Sequence, residues 1–203
     1  MSLIPNLGSV TTPEFDESRH MYTVAGRIVP SVSSIIRPLT EAAYGMIDPA
    51  TLRRAADFGT AVHACTELFD QGELDDDSVL PEWMPYLDSY KKWLDDVQPQ
   101  IAEIEWRRGC ARYAGTIDRV VEINAENWIV DLKTTSTIHP HVGVQLAAYV
   151  ALAEQSYGAN LRRAALQLRE DGTYRFVEFK KRSDFTCFNG LLAVHAWRTE
   201  NTK

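Results

Sequence analysis

The chain has 203 residues, 45% hydrophobic, 24% charged and 10% aromatic, the balance of an ordinary globular protein with a core of its own. Its three cysteines, Cys65, Cys110 and Cys187, are odd in number and far apart, which excludes a disulfide framework and a CxxC zinc site. The 28 acidic against 21 basic residues leave a net charge of -7, which argues against a uniformly basic nucleic-acid binder but not against a local basic groove beside a carboxylate cluster.

The longest mostly apolar run, 144–153, is too short to cross a bilayer, and residues 1–10 lack the charged start of a secretory signal, so a soluble cytoplasmic protein with no membrane partner is expected. No repeat or linker interrupts the chain. One domain over 1–203 is expected, with a loose extension at 1–20, a hairpin and short helix over 20–48, and the core over 49–200.

In chain order, residues 20–29 alternate in polarity around Ala25-Gly26 and predict a hairpin. Ser31 follows as N-cap of a helix through Arg37, which Pro38 is expected to end. From 49 to 69, Leu52, Ala55, Ala56, Gly59, Val62, His63 and Thr66 recur at spacings of three and four, an amphipathic helix that Gly72 terminates. A second helix over 82–97 carries Trp83, Tyr86, Leu87, Tyr90, Trp93 and Leu94 on one stripe; core packing is the first reading and a substrate-stacking cover the second.

The period then changes. Residues 101–108, 113–123 and 128–133 are β-branched or aromatic runs between turn residues and predict three consecutive antiparallel strands. Residues 141–155 read as a helix, 162–169 and 174–180 as a strand pair around Asp171-Gly172, and 183–198 as a closing helix capped by Ser183. This order places a central mixed β-sheet between helices, an α/β (α+β) fold.

The chemistry-bearing residues gather in the middle. Asp131 and Lys133 lie two apart on a strand and share a face, while Leu132 points away. Asp118 lies on the preceding strand, where hairpin pairing would bring it alongside Asp131. Two like charges held together are costly, and a divalent cation between them keeps both ionised. Spacing alone leaves open that both are exposed strand residues. His63 and Glu67 are i and i+4 on one helical face with Gly59 one turn earlier, and Gln145 and Tyr149 form a second such pair on an otherwise apolar helix. Each pair alone fits an ordinary core or surface position.

Together and in this order, Gly59 to His63, Asp118, Asp131 to Lys133 and Gln145 to Tyr149 match the motifs GxxxH, D, DxK and QxxxY, and the chain resembles the PD-(D/E)XK nuclease superfamily, specifically its RecB-like exonuclease branch. Pro30-Ser31-Val32-Ser33 is similar to the PSVT segment of phage-borne members and of the mitochondrial genome-maintenance exonuclease, as is Tyr113-Ala114-Gly115-Thr116-Ile117-Asp118 to their YxGxxD pattern.

The resemblance implies a restriction-endonuclease-like core and a metal-dependent DNA exonuclease that hydrolyses phosphodiester bonds in phage or bacterial recombination and repair. It makes His63, Asp118, Asp131 and the backbone carbonyl of Leu132 ligands of Mg²⁺ or Mn²⁺, with Asp118, Asp131 and Lys133 catalytic and Lys133 beside the attacking water. Gln145 and Tyr149 take supporting, DNA-contacting positions; Glu67 falls on the acidic position of the first core helix, and Glu105 matches the acid opening the strand before the aspartate. Ser31 stands where a phosphate can meet a helix N-terminus, with plain capping as the competing role. The three cysteines do not reproduce the arrangement of iron-sulfur members, so no such cluster is expected.

DNA with a single-stranded end is the implied substrate, and a recombination or single-strand-binding protein a candidate partner. Three other readings stay open: an endonuclease of the same fold, an inactive module that grips DNA ends or a protein, and a hydrolase or binder of a small phosphorylated or sugar ligand with Asp118 and Asp131 as acid and base. Intact Asp118, Asp131 and Lys133 argue against the inactive module, and the last reading leaves Lys133, His63 and the QxxxY helix without a role.

Overall fold

The computed structural model describes residues 7–202. Near its start, β1 (Glu14–Asp16), β2 (Met21–Val24) and β3 (Arg27–Val29) form a small antiparallel sheet. β2 and β3 are the predicted hairpin, and Ala25 and Gly26 take φ values of 49° and 74°, the left-handed pair that a tight two-residue turn requires. β1 is an addition that the short Glu14–Asp16 segment does not announce. The extension expected to be loose is instead tied down: Thr11 exchanges two backbone hydrogen bonds with Gly109, at 2.8 and 2.9 Å, and the Val10 amide donates to Gln155 Oε1. Residues 1–6 of that extension lie outside the described residues.

Ser31 caps α1 (Val32–Ile35), its hydroxyl accepting from the Ser34 amide at 3.0 Å. Pro38 does not end the helical path, because it occupies the first turn of α2 (Arg37–Tyr44), where its missing N–H has no intrahelical partner to lose. α3 (Pro49–Gln71) is capped by Asp48, which accepts from the Thr51 amide at 2.9 Å, and stops at Gly72 with φ 72°. α4 (Met84–Val97) follows a short 3-10 turn at Asp76–Ser78.

β4 (Gln100–Gly109), β5 (Ala114–Ile123) and β6 (Glu126–Lys133) are the expected antiparallel meander. α5 (His141–Tyr157) crosses over to β7 (Arg162–Leu168), parallel to β6; β8 (Tyr174–Glu178) returns antiparallel, and α6 (Ser183–Asn201) closes the chain. Ser183 is inside that helix rather than its cap, since the cap position falls on Arg182 and no side chain bonds there.

The five-stranded sheet, in the order β4-β5-β6-β7-β8, is mixed and lies between two helical layers. On one face Ile117, Val120, Ile129 and Ala165 pack against α5 and against Phe185, Phe188 and Leu192 of α6. On the other, Val121, Trp128, Val130 and Leu132 pack against Val62 of α3 and Tyr90 and Trp93 of α4. The aromatic stripe of α4 is therefore core: Leu87, Tyr90 and Trp93 are fully buried, and the idea that it covers a substrate path is corrected accordingly. Among the described residues no helix is long and apolar enough to cross a membrane.

Candidate active site

The site begins with a fault in the strand alternation. Ile117 and Val120 both face α5 although they are three apart, so the two-residue period of β5 slips at Asp118. Directly opposite, Glu105 of β4 has φ 44°, a left-handed conformation that a non-glycine residue adopts at a cost. The β4–β5 ladder pairs Ile104 with Arg119 and Trp106 with Ile117, and the two acids between them form no bridge. This shared kink turns both carboxylates toward His63 of α3.

His63, Glu105 and Asp118 each present a ligand atom, and these atoms lie within 4.8 Å of one another. His63 Nδ1 is 3.7 Å from Asp118 Oδ2 and 4.0 Å from Glu105 Oε1. Its Nε2 lies 3.1 Å from the Leu132 carbonyl oxygen; a carbonyl only accepts, so the hydrogen bond assigns the proton to Nε2. Nδ1 then offers a lone pair to two carboxylates, and three acceptors converge on one point. One nitrogen and two hard oxygens suit Mg²⁺ or Mn²⁺.

Asp131 and Lys133 adjoin this cluster from β6. The Leu132 amide donates to Asp118 Oδ2 at 2.7 Å, which fastens Asp118 to the strand that carries them. Gln145 of α5 donates to Asp131 Oδ1 at 3.1 Å and to the Tyr149 hydroxyl at 3.2 Å. Lys133 Nζ is 2.5 Å from Asp131 Oδ2, so the ammonium is the partner of that buried oxygen.

Burial pushes the Glu105 carboxyl up to about 8, helped by the charge of Asp118 and opposed by Arg119. Burial likewise raises Asp131 to about 6, against the pull of Lys133. Burial alone would lower the Lys133 ammonium, but the charges of Asp131 and Asp118 outweigh it and hold the lysine protonated.

The predicted residues are thus divided. His63, Asp118 and Glu105 come together, Asp131 and Lys133 stand beside them, and Gln145 and Tyr149 brace Asp131. The Leu132 carbonyl adjoins the cluster with one lone pair taken by His63. Glu67 is close enough to Glu105 to disfavour its charge, yet its side chain accepts from Gln71 at 3.3 Å and is not one of the three convergent groups. Ser31 caps its helix and lines the cleft.

Sequence reasoning missed Arg119, which is wholly buried and donates to Asp70 Oδ2 at 2.7 Å, to Thr66 Oγ1 at 3.2 Å and to Glu105 Oε1 at 3.4 Å. The signal available was an arginine between Asp118 and the apolar pair Val120-Val121, in the middle of a strand. Arg163 of β7 is similar: it is buried and paired with Asp184 at 2.8 Å, a structural role.

His63, Glu105, Lys133 and Tyr149 line a cleft of about 680 Å³, with Asp118 and Asp131 buried beneath its floor. Its outer walls are Phe15, His20 and Tyr22 of the small sheet and Ala55, Ala56 and Gly59 of α3. A search of curated proteins returned no match. The family model for the PD-(D/E)XK nuclease superfamily matches residues 80–190. That span contains all five strands of the central sheet and more than half of the 203 residues, so the chain belongs to the PD-(D/E)XK nuclease superfamily.

Proposed function

We propose that this nuclease is a divalent-metal-dependent DNA exonuclease of the RecB-like branch, acting on linear DNA with a single-stranded end in phage or bacterial recombination and repair. The observation that carries the reading is the convergence of His63, Glu105 and Asp118 beside the Asp131–Lys133 pair at the base of one cleft. Support for the branch comes from its two extra motifs: the histidine of GxxxH takes part in the cluster, and the glutamine of QxxxY bonds Asp131.

In this reading His63 Nδ1, Glu105 and Asp118 hold Mg²⁺ or Mn²⁺, with Asp131 Oδ2 and the Leu132 carbonyl at its flank. A bound divalent cation supplies an activated water and offsets charge developing on the phosphoryl oxygens. Lys133 keeps its proton, so it donates to the attacking water or to a phosphate oxygen and does not act as the base. Gln145 fixes the Asp131 carboxylate, and the Tyr149 hydroxyl, which accepts from Gln145, has its own proton to offer a backbone phosphate.

The whole chain then works as one nuclease unit in the cytoplasm. Linear DNA with a single-stranded end should be degraded in Mg²⁺ while a covalently closed duplex circle survives. Rapid nicking of a supercoiled circle would make the protein an endonuclease instead.

A further inference from the structure

Arg119 reaches all three residues of the candidate metal cluster from their buried side. Its Nε donates to Asp70 Oδ2 at 2.7 Å, and the Tyr90 hydroxyl, which donates to the same oxygen at 2.7 Å, fixes that carboxylate in place. With Nε anchored, the other two nitrogens point at the ligands. Nη1 donates to the Asp118 carbonyl oxygen at 2.7 Å and to Glu105 Oε1, the oxygen that faces His63, at 3.4 Å. Nη2 donates to Thr66 Oγ1 at 3.2 Å, and the Thr66 hydroxyl donates in turn to the His63 carbonyl oxygen at 2.8 Å. His63, Thr66 and Asp70 follow at i, i+3 and i+7 on one face of α3, so a single guanidinium spans the helix and both strands that carry the cluster.

The kink explains why a brace is needed there. Asp118 pairs in register with neither β4 nor β6, so its buried carbonyl has lost its ladder partner and must find another. Glu105 is held at φ 44°, a strained conformation that persists only where its surroundings impose it. We propose that Arg119, anchored by Asp70 and Tyr90, is a positioning residue for the cation, holding His63, Glu105 and Asp118 convergent so that the ion meets a preassembled site. The inference rests on the metal-site reading and adds the part of the core that sets its affinity. Charge alone predicts the opposite sign, since a guanidinium beside a divalent cation repels it.

The test titrates the full chain with Mn²⁺ at pH 8, reading free Mn²⁺ by electron paramagnetic resonance and stability by urea denaturation. Arg119→Lys keeps the charge beside Asp70 but has no planar fork to span the three partners. Thr66→Val removes the hydroxyl link to His63 at nearly equal size, and Thr66→Ser restores it. Asp118→Asn removes a ligand and marks the loss that belongs to this site. Arg119→Lys and Thr66→Val should each weaken Mn²⁺ binding on the order of tenfold, with Thr66→Ser close to the unmodified protein. A purely structural role would lower the urea midpoint and leave the Mn²⁺ affinity of the folded protein unchanged; that affinity in either variant, or a Thr66→Ser variant as weak as Thr66→Val, would overturn the proposal. Should Arg119→Lys not fold, the Thr66 pair decides alone. If Asp118→Asn is the one variant that loses the ion, the site stands and Arg119 is not its brace; if the unmodified protein binds no Mn²⁺, or Asp118→Asn binds it equally well, the metal-site reading falls and this inference with it.

Discussion

Glu105→Gln asks whether the cluster is built to hold a cation. Without metal, the Glu105 carboxyl is buried, faces Asp118 and Glu67, and is pushed from 4.5 to about 8, with Arg119 opposing the shift. A group whose pKa is raised by folding stabilises the fold fully below its unfolded pKa and loses that contribution as pH rises through the folded value. Between pH 6 and pH 8 the loss for one such group is about 2 kcal/mol, or roughly 4–8 °C in melting temperature for a chain of this size. Asp131, raised to about 6, loses its contribution mainly below that window.

In EDTA, therefore, the melting temperature of the unmodified protein should fall from pH 6 to pH 8 while that of the Gln variant stays nearly level. Saturating Mn²⁺ should invert the comparison. The glutamate must release its proton to coordinate, so the cation should raise the melting temperature of the unmodified protein more at pH 8 than at pH 6, and that of the variant little at either. Differential scanning fluorimetry reads all of these. Parallel pH curves for the two proteins in EDTA, or equal stabilisation by Mn²⁺, would refute the reasoning.

Other substitutions separate chemistry from architecture. Lys133→Ala should lower turnover on the order of 10²–10³-fold with DNA affinity nearly intact, because one charged donor at the reacting phosphate acts mainly on the transition state; single-turnover kinetics with a binding isotherm check it, and wild-type turnover would contradict it. At Gly59 an added Cβ would meet only Thr134 Oγ1 at 3.5 Å, so Gly59→Ala should stabilise α3 by roughly 0.5–1 kcal/mol while weakening substrate binding in the cleft it lines. A loss of thermal stability there would show that the glycine serves packing. Arg119→Met leaves Asp70 and Glu105 without their buried partner and should cost about 3–5 kcal/mol in urea denaturation; a cost below 1 kcal/mol would mean that these acids find other partners.

The regular elements were legible because burial imposes their periods. α3, α5 and the meander β4–β6 carry their spacing openly, and the Asp131-Leu132-Lys133 triplet announces a shared face. Other features were not. β1 is three residues long and gains its strand character only by pairing with β2. Pro38 looked like a stop because a proline inside a helix is costly, whereas one in its first turn is not. The aromatic stripe of α4 fits a core or a stacking surface equally well until the sheet beneath it is known. Glu105 carried an acidic expectation, but its left-handed backbone and its alignment with Asp118 depend on a slip in two strands that no local pattern records. Arg119 was unmarked because Thr66 and Asp70 lie on α3, far away in sequence, and Glu105 meets it only through the kink in β4.

The central claim, that these side chains hold a catalytic divalent cation, is tested most directly by anomalous diffraction from crystals soaked in Mn²⁺. The expected result is one dominant peak within roughly 2.0–2.6 Å of Asp118 and Glu105 oxygens, on the Nδ1 side of His63 and adjoining Asp131 and Lys133. A dominant peak elsewhere, with His63, Glu105 and Asp118 still facing one another around an empty centre, would contradict it.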